Sequence, residues 1–253
     1  MRHFFTILSH EIRALLFSAS TYIAAVLFLF VMAFVFIGIL ENYTKSAQDV
    51  LPSTVFFQLF WLPVFFMVPL LTMRSLAEER RLGTLETLLT TSVSTAEVVL
   101  GKFFASYILY LLLWGSTLGF HYVLHHFAKD DRLLDPGPLI GGYLFIAVSG
   151  LLFIAIGIFA SAMTRTQSVA GIFCCTMLIV LILGLKYLSE VALLNQEIFK
   201  PAKMAVDSLQ IFQHLDDFTQ GVIDTRQIIF YFSGATLALI FSILGVEAKL
   251  LQG

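Results

Sequence analysis

Long runs of apolar residues recur along the chain and alternate with shorter polar segments. The runs cover Thr21–Leu40, Thr54–Met73, Phe103–Leu124, Leu139–Thr164, Ser168–Leu185 and Gln227–Val246. Each run is close to the ~20 residues that an α-helix needs to cross about 30 Å of hydrocarbon. The pattern therefore predicts an all-α membrane protein with six transmembrane helices.

The composition supports a membrane protein and limits its organisation. Hydrophobic residues make up 58% of the 253 residues and charged residues 13%, against about 25% charged residues in soluble domains. Six spans leave too little chain for a second domain, so we expect one transmembrane domain over residues 1–253. We find no Asp, Glu, Lys or Arg between the ends of the runs, which disfavours a transporter driven by an ion gradient.

The first eighteen residues have a different, amphipathic pattern. Apolar side chains recur at helical spacing on one side and polar side chains occupy the other, which is typical of a helix lying in the headgroup plane. We therefore expect an interfacial helix over residues 1–18. The alternative is that this segment is the lower end of the first span.

The polar segment between the second and third runs carries the clearest charge signal. Arg74, Arg80, Arg81 and Lys102 lie close to span ends in this loop, whereas most acidic residues fall on the other side of the spans. The positive-inside rule then places the loop over residues 74–102 in the cytoplasm. With six spans, both termini are expected to be cytoplasmic too.

The same loop contains the end of one helix and the start of another. Gly83 is a natural residue to end a helix in the left-handed conformation. Thr84 then caps a short helix, and Glu86 lies in its first turn, where a negative charge suits the helix dipole. Ser94 and Glu97 have the spacing of a capping box that starts the third span.

The short helix in this loop has an apolar side. Leu85, Leu88 and Leu89 fall on one face of it. A short transverse helix held between two capped spans suits the transfer of force from a soluble motor. The alternative is a solvated loop whose charges only mark the cytoplasmic side.

Sites of other chemistry are weak or missing in the sequence. Gly101-Lys102 does not belong to an ATP-binding loop, because Ala96 stands where its first glycine is required. His121 and His125 are one helical turn apart, a spacing that can hold a metal, but no carboxylate completes the motif. Gly115 and Gly119 match the spacing of a helix-dimerisation motif, or of helix packing within one protomer.

The charged loop resembles the signature of type-2 ATP-binding-cassette (ABC-2) exporter permeases. The residues that carry the resemblance are Glu78, Glu79, Arg80, Arg81, Gly83, Thr84, Leu85, Glu86, Leu88 and Leu89, followed by Gly101-Lys102. The six-span layout, the interfacial helix and the expected second cytoplasmic loop, Thr164–Ser168 with Arg165 and Gln167, are similar to that family over nearly the whole chain. The resemblance implies that the loop over residues 74–102 is the coupling loop.

A second motif before the last run resembles one branch of this family. Phe218, Gly221, Asp224 and Arg226 are similar to residues of gliding-motility permeases and of permeases for nitrous-oxide-reductase maturation. The resemblance implies that the extracytoplasmic segment 189–226 folds back as a short helical hairpin. Its apolar residues, among them Ile211, Leu215 and Phe218, are expected to dip into the outer leaflet, and Asp224 to cap the last span.

The resemblance implies the permease subunit of an ATP-driven exporter in a bacterial cytoplasmic membrane. Two copies of a cytosolic ABC ATPase would bind ATP and Mg²⁺, so no catalytic residue or cofactor is expected in this chain. A second permease chain, identical or similar, and an extracytoplasmic auxiliary protein are further expected partners, and nucleic acid is not.

Two alternatives stay open, and the cargo is not defined. One is a membrane scaffold or assembly factor that docks an ATPase without transport. The other is a metal-binding membrane enzyme centred on His121 and His125. The apolar, small-residue spans suit a lipid-like or polymeric cargo, but the same composition also serves merely to lie in lipid.

Overall fold

The computed structural model of the chain describes residues 2–45, 50–83, 94–127, 135–190, 203 and 206–250. They form α1 (Arg2–Leu16), α2 (Ala19–Lys45), α3 (Pro52–Gln58), α4 (Trp61–Thr72), α5 (Ala77–Leu82), α6 (Thr95–Ser116), α7 (Leu118–Phe127), α8 (Pro136–Met163), α9 (Gln167–Ile179), α10 (Leu185–Glu190), α11 (Ile211–Thr219) and α12 (Thr225–Leu250), with a π-helical turn at Val180–Gly184. The described residues thus form an all-α protein, as predicted.

The long helices account for the predicted membrane spans. Five helical segments are long and apolar enough to cross a membrane. A sixth span is formed by α3 together with the segment Trp61–Leu82, which contains α4 and α5, if these two bent parts cross as one. The chain is therefore a multi-pass membrane protein. Its described part agrees with the six predicted runs, with two interruptions that the apolar pattern did not reveal.

The second span is bent by 48° between α3 and α4, whereas the sequence predicted one uninterrupted run over Thr54–Met73. Pro63 has no N–H and cannot donate to the carbonyl of Leu59, so the helix breaks at this point. The third span is also interrupted, at Thr117 between α6 and α7, where the Thr117 N–H donates to the Trp114 carbonyl at 3.0 Å.

Helix α8 lies at the centre of the bundle. The most apolar part of α8 is 72% buried, a larger share than in the other four continuous spans among the described residues. Phe145 of α8 contacts Phe60, at the bend between α3 and α4, and Tyr231 of α12 edge to face. Because α8 packs against helices on all sides, it can connect the two ends of the bundle.

The N-terminal helix α1 is separate from the first span. The chain turns at residues 17–18, and α1 packs across the start of α6. Gly101 of α6 permits this contact, because a Cβ at that position would lie 2.7 Å from Cγ2 of Ile7. The alternative that residues 1–18 continue the first span is therefore wrong.

Helix α11 packs against the protein. Ile211, Leu215 and Phe218 are buried in the core, so the expectation that these residues dip into lipid is wrong. The backbone of α11 approaches α8 closely, since a Cβ at Gly141 would lie 1.9 Å from the Phe218 carbonyl oxygen. The other half of the expected hairpin falls within residues 191–202, outside the described residues.

Candidate functional site

Polar and charged contacts concentrate at one end of the bundle, around α5. We call this the α5 end, and the opposite end, which carries α11, the α11 end. Helix α5 stops at Gly83, which has a left-handed φ of 71° as predicted. The α5 end also contains α1, the start of α6 and the turn between α8 and α9.

The beginning of α5 is held by a side chain of α8. Ser161 Oγ accepts hydrogen bonds from the backbone N–H groups of Leu76 and Ala77, both at 3.0 Å. The same hydroxyl donates to the Met73 carbonyl at 3.3 Å. The first N–H groups of a helix have no partner within it, so Ser161 serves as their cap from another helix.

Arg80 connects α5 to the end of α8. Its Nη1 donates to the carbonyl of Ala162 at 2.6 Å and to that of Thr164 at 3.2 Å. These carbonyls belong to the end of a helix, where a cation is favourable. The pKa of Glu78 is lowered mainly by Arg74, and the side chain of Gln167, at the start of α9, acts in the same direction. The turn that was predicted to be a second cytoplasmic loop, with Arg165 and Gln167, therefore lies beside α5.

Arg74 connects α5 to the turn between α1 and α2. It donates to both carboxylate oxygens of Glu78, at 2.8 and 3.1 Å, and to Ser18 Oγ at 3.0 Å. The two parallel bonds fix the direction of both side chains. Arg81 is more than half exposed, and its contact with Glu78 is longer, at 4.0 Å.

Lys102 forms the most buried charged group of this end. Its Nζ lies 2.6 Å from Glu11 Oε1 of α1 and 2.6 Å from Glu79 Oε1 of α5, and the residue is only 3% exposed. We call these three residues the ionic junction. A buried ammonium needs such partners, because the loss of its hydration is costly.

The position of Lys102 corrects one expectation. The sequence assigned this residue to a loop over residues 74–102, just before the third apolar run. In the structure the capping box of Ser94 and Glu97 starts α6 as predicted, so residues 95–102 are already helical. Lys102 is thus a buried charge on the helix of the third span.

Glu11 was not predicted as a site residue, and Lys102 was predicted only as part of the Gly101-Lys102 pair of the family signature. The signal in the sequence was that Lys102 directly follows Gly101. A glycine lets a neighbouring helix approach closely, and the lysine beside it can then form an ion pair with that helix. The other predicted residues of the coupling loop, Thr84, Leu85, Glu86, Leu88 and Leu89, lie outside the described residues. Their predicted helix stays a prediction.

An open cleft of about 500 Å³ lies between α1 and α5. Glu11, Glu79 and Lys102 lie along it, together with Arg74 and Ser18. Across this cleft the two helices are connected by charged side chains rather than by apolar packing. The connection therefore depends on side chains that substitution can remove one at a time.

The α11 end has fewer ionic contacts among the described residues. Gly221 has φ 82°, and Asp224 Oδ1 accepts from the Arg226 N–H at 2.8 Å, which caps α12 as predicted. Gln58 Nε2, at the bend of the second span, donates to Asp216 Oδ1 at 3.2 Å. Phe218 packs against Phe145 in the core.

His214 links α11 to the last span. Its Nδ1 lies 3.0 Å from Tyr231 Oη, and its Nε2 lies 3.1 Å from the Ser208 carbonyl. In the neutral form, Nε2–H donates to the carbonyl and Nδ1 accepts from the tyrosine. Burial lowers the pKa of His214 from its usual 6.5, although the Ser208 carbonyl, Asp217 and Asp224 act in the opposite direction.

The remaining candidate residues are not brought together. The His121 ring packs against Phe56 and Phe57, and His125 is exposed. Within the described ranges, no group of three His, Cys, Asp or Glu residues could hold a metal. A Cβ at Gly115 or Gly119 would have nothing within 4 Å, so the prediction that these glycines pack against another helix of the same protomer is wrong. Their contact with a second chain stays a prediction.

The comparison with known families decides the class of the protein. A family model described as ABC-2 family transporter protein matches residues 39–248. The chain belongs to this family. It is therefore a membrane permease subunit of an ABC transporter, and membership of this family implies an ABC ATPase partner. No curated protein matches the chain.

Proposed function

We propose that the chain is the permease of an ABC exporter and that its cytosolic ATPase docks on the segment between α5 and α6. Family membership supports the transporter subunit. The observation that carries the docking site is the set of contacts that fixes α5: Ser161 and Arg80 connect it to α8, and Lys102 connects it to α6. A force applied between α5 and α6 would reach several spans.

We further propose an orientation of the chain in the membrane and a set of partner proteins. The α5 end faces the cytoplasm of a bacterial cell, as do both termini, and the α11 end faces outward. Two ATPase subunits hold ATP and Mg²⁺, and two permease chains, identical or similar, form the path between them. An extracytoplasmic auxiliary protein at the α11 end accords with the resemblance to the gliding-motility and nitrous-oxide-reductase-maturation branch.

Reconstitution with its ATPase tests this proposal. The chain is co-expressed with the ABC ATPase encoded nearest its gene, and ATP hydrolysis is measured in proteoliposomes. We expect Leu85→Asp and Glu86→Arg to abolish the stimulation of hydrolysis by the permease while membrane insertion is unchanged. Lys45→Met, in an exposed ion pair with Glu41, is the control and should hydrolyse ATP at the wild-type rate.

Two results would contradict the proposal. Normal stimulation in both loop variants would show that the ATPase docks elsewhere. Hydrolysis without movement of any cargo, tested with labelled lipids and with the material secreted by the host, would indicate a scaffold that docks an ATPase without transport.

A further inference from the structure

Lys102 connects three helices that are far apart in the sequence. It lies on α6, and its ammonium binds Glu79 of α5 and Glu11 of α1. Helices α5 and α6 hold the two ends of segment 84–93. The ion pair with Glu79 therefore joins these two ends, and the pair with Glu11 extends the connection to α1.

The contacts of α1 with its two neighbours differ in kind. Against α6 it packs through apolar groups, including Ile7 on Gly101 and Phe4 on Phe104, whose rings are 6.0 Å apart. Toward α5 it faces the cleft of about 500 Å³. The ionic junction and the Arg74–Ser18 hydrogen bond cross that cleft, so the position of α1 relative to α5 depends on polar contacts.

We propose that Lys102 is a positioning residue that makes α1, α5 and α6 move as one unit. A displacement of segment 84–93 then also displaces the N-terminal helix at the membrane surface. The three-helix unit is a property of this chain alone, whereas its use during ATP hydrolysis rests on the proposed function.

The charges of the ionic junction allow one of its two ion pairs to be removed while the other is kept. One ammonium faces two carboxylates, so the loss of Glu11 leaves a neutral pair between Lys102 and Glu79. Loss of Lys102 instead leaves two carboxylates facing each other in a poorly hydrated site, where they repel. Glu11→Ala therefore removes the ion pair that links α1 to α5 through Lys102, while α5 and α6 stay paired and α1 keeps its apolar contacts with α6.

Electron-spin distance measurements on the purified chain in lipid nanodiscs test the three-helix unit without any ATPase. Nitroxide labels replace Ser9 of α1 and Leu82 of α5, both exposed, after Cys174 and Cys175 are changed to alanine. We expect one narrow distance distribution in the otherwise unmodified chain. Glu11→Ala should make it roughly twice as wide, because further arrangements of α1 become populated.

Two further variants make this test decisive. Lys102→Met should widen the distribution at least as much, and if this variant does not fold, Glu11→Ala decides alone. Lys45→Met removes an exposed ion pair elsewhere and should leave the distribution unchanged. A narrow distribution in Glu11→Ala, and in Lys102→Met where it folds, would overturn the inference.

A second measurement tests the use of this unit in transport. With the ATPase bound and trapped by vanadate, labels at Ser9 and at the exposed Ile240 of α12 report the displacement of α1 relative to the last span. We expect a shift in the wild-type complex and none in Glu11→Ala, although ATP is still hydrolysed. Equal shifts in both would overturn the inference, whereas a failure of the ATPase to assemble would contradict only the proposed function.

Discussion

The two ends of the helix bundle are held together by different chemistry. At the α5 end, charged side chains from α1, α5 and α6 meet around the buried Lys102. At the α11 end, a close backbone contact at Gly141 and the neutral hydrogen bonds of His214 hold α11 in place. Ion pairs connect separate helices through a few side chains, whereas close packing requires a whole surface to fit. The contacts of the α5 end can therefore be removed one side chain at a time, which makes its proposed role in coupling open to test.

Removal of Lys102 should have the largest effect on stability. Lys102→Met removes the cation from between Glu11 and Glu79, and breaking a buried ion pair costs about 3–5 kcal/mol. Thermal unfolding of the purified chain in detergent measures the change. Lys45→Met is the control, because exposed pairs contribute only about 0–1 kcal/mol. Equal effects of both variants would show that the ionic junction is not buried as described.

Arg80 should matter more than its neighbour Arg81. Arg80→Ala removes the donor to the Ala162 and Thr164 carbonyls, and such a charged hydrogen bond contributes about 1.5–3 kcal/mol. Arg81→Ala removes an exposed contact at 4.0 Å and should change the free energy of unfolding by less than about 1 kcal/mol. The same unfolding assay compares the two, and a larger loss in Arg81→Ala would contradict the contacts of α5.

At the α11 end, a single methyl group should disturb the fold. Gly141→Ala places a Cβ against the Phe218 carbonyl, and such overpacking costs about 1–3 kcal/mol. Gly115→Ala is the matched control, since nothing lies within 4 Å of its new Cβ. Hydrogen exchange should show faster opening of α11 in Gly141→Ala only. Equal exchange in both variants would mean that α11 does not contact α8 closely.

A fall in pH should weaken the attachment of α11 to the last span, and we expect this change in stability to be the smallest of the four. The pKa of His214 is lowered in the folded chain, so the folded state binds fewer protons than the unfolded state. The stability that the neutral ring contributes is complete above the usual pKa of 6.5 and is lost as the pH falls toward the folded pKa. Hydrogen exchange of α11, corrected for the intrinsic pH dependence of amide exchange, should therefore rise below pH 6.5, and His214→Gln should remove this rise. A pH dependence that persists in this variant would assign it to another group.

Local signals predicted the helix ends correctly. Gly83, the Ser94–Glu97 capping box and the Asp224 cap depend on residues within a few positions of one another, so the sequence is sufficient to identify them. The bend near Leu59 also has a local cause in Pro63. The apolar pattern hid it, because proline is compatible with an apolar run.

Contacts between distant helices could not be predicted in this way. Glu11 and Lys102 are far apart in the sequence, and only the packing of α1 on α6 brings them together. The apolar side of α11 was assigned to lipid because lipid and a protein core favour the same residues. The direction of Ile211 and Leu215 therefore depends on the fold and not on their hydrophobicity.

Site-directed photo-crosslinking tests the central claim, that the ATPase acts at the α5 end, most directly. A photoreactive amino acid replaces Leu85 in one variant and the exposed Val222 of the α11 end in another, and each is irradiated in membranes that contain the ATPase. The account predicts a crosslink between the ATPase and position 85 and none at position 222. A crosslink at position 222, or none at position 85, would contradict it.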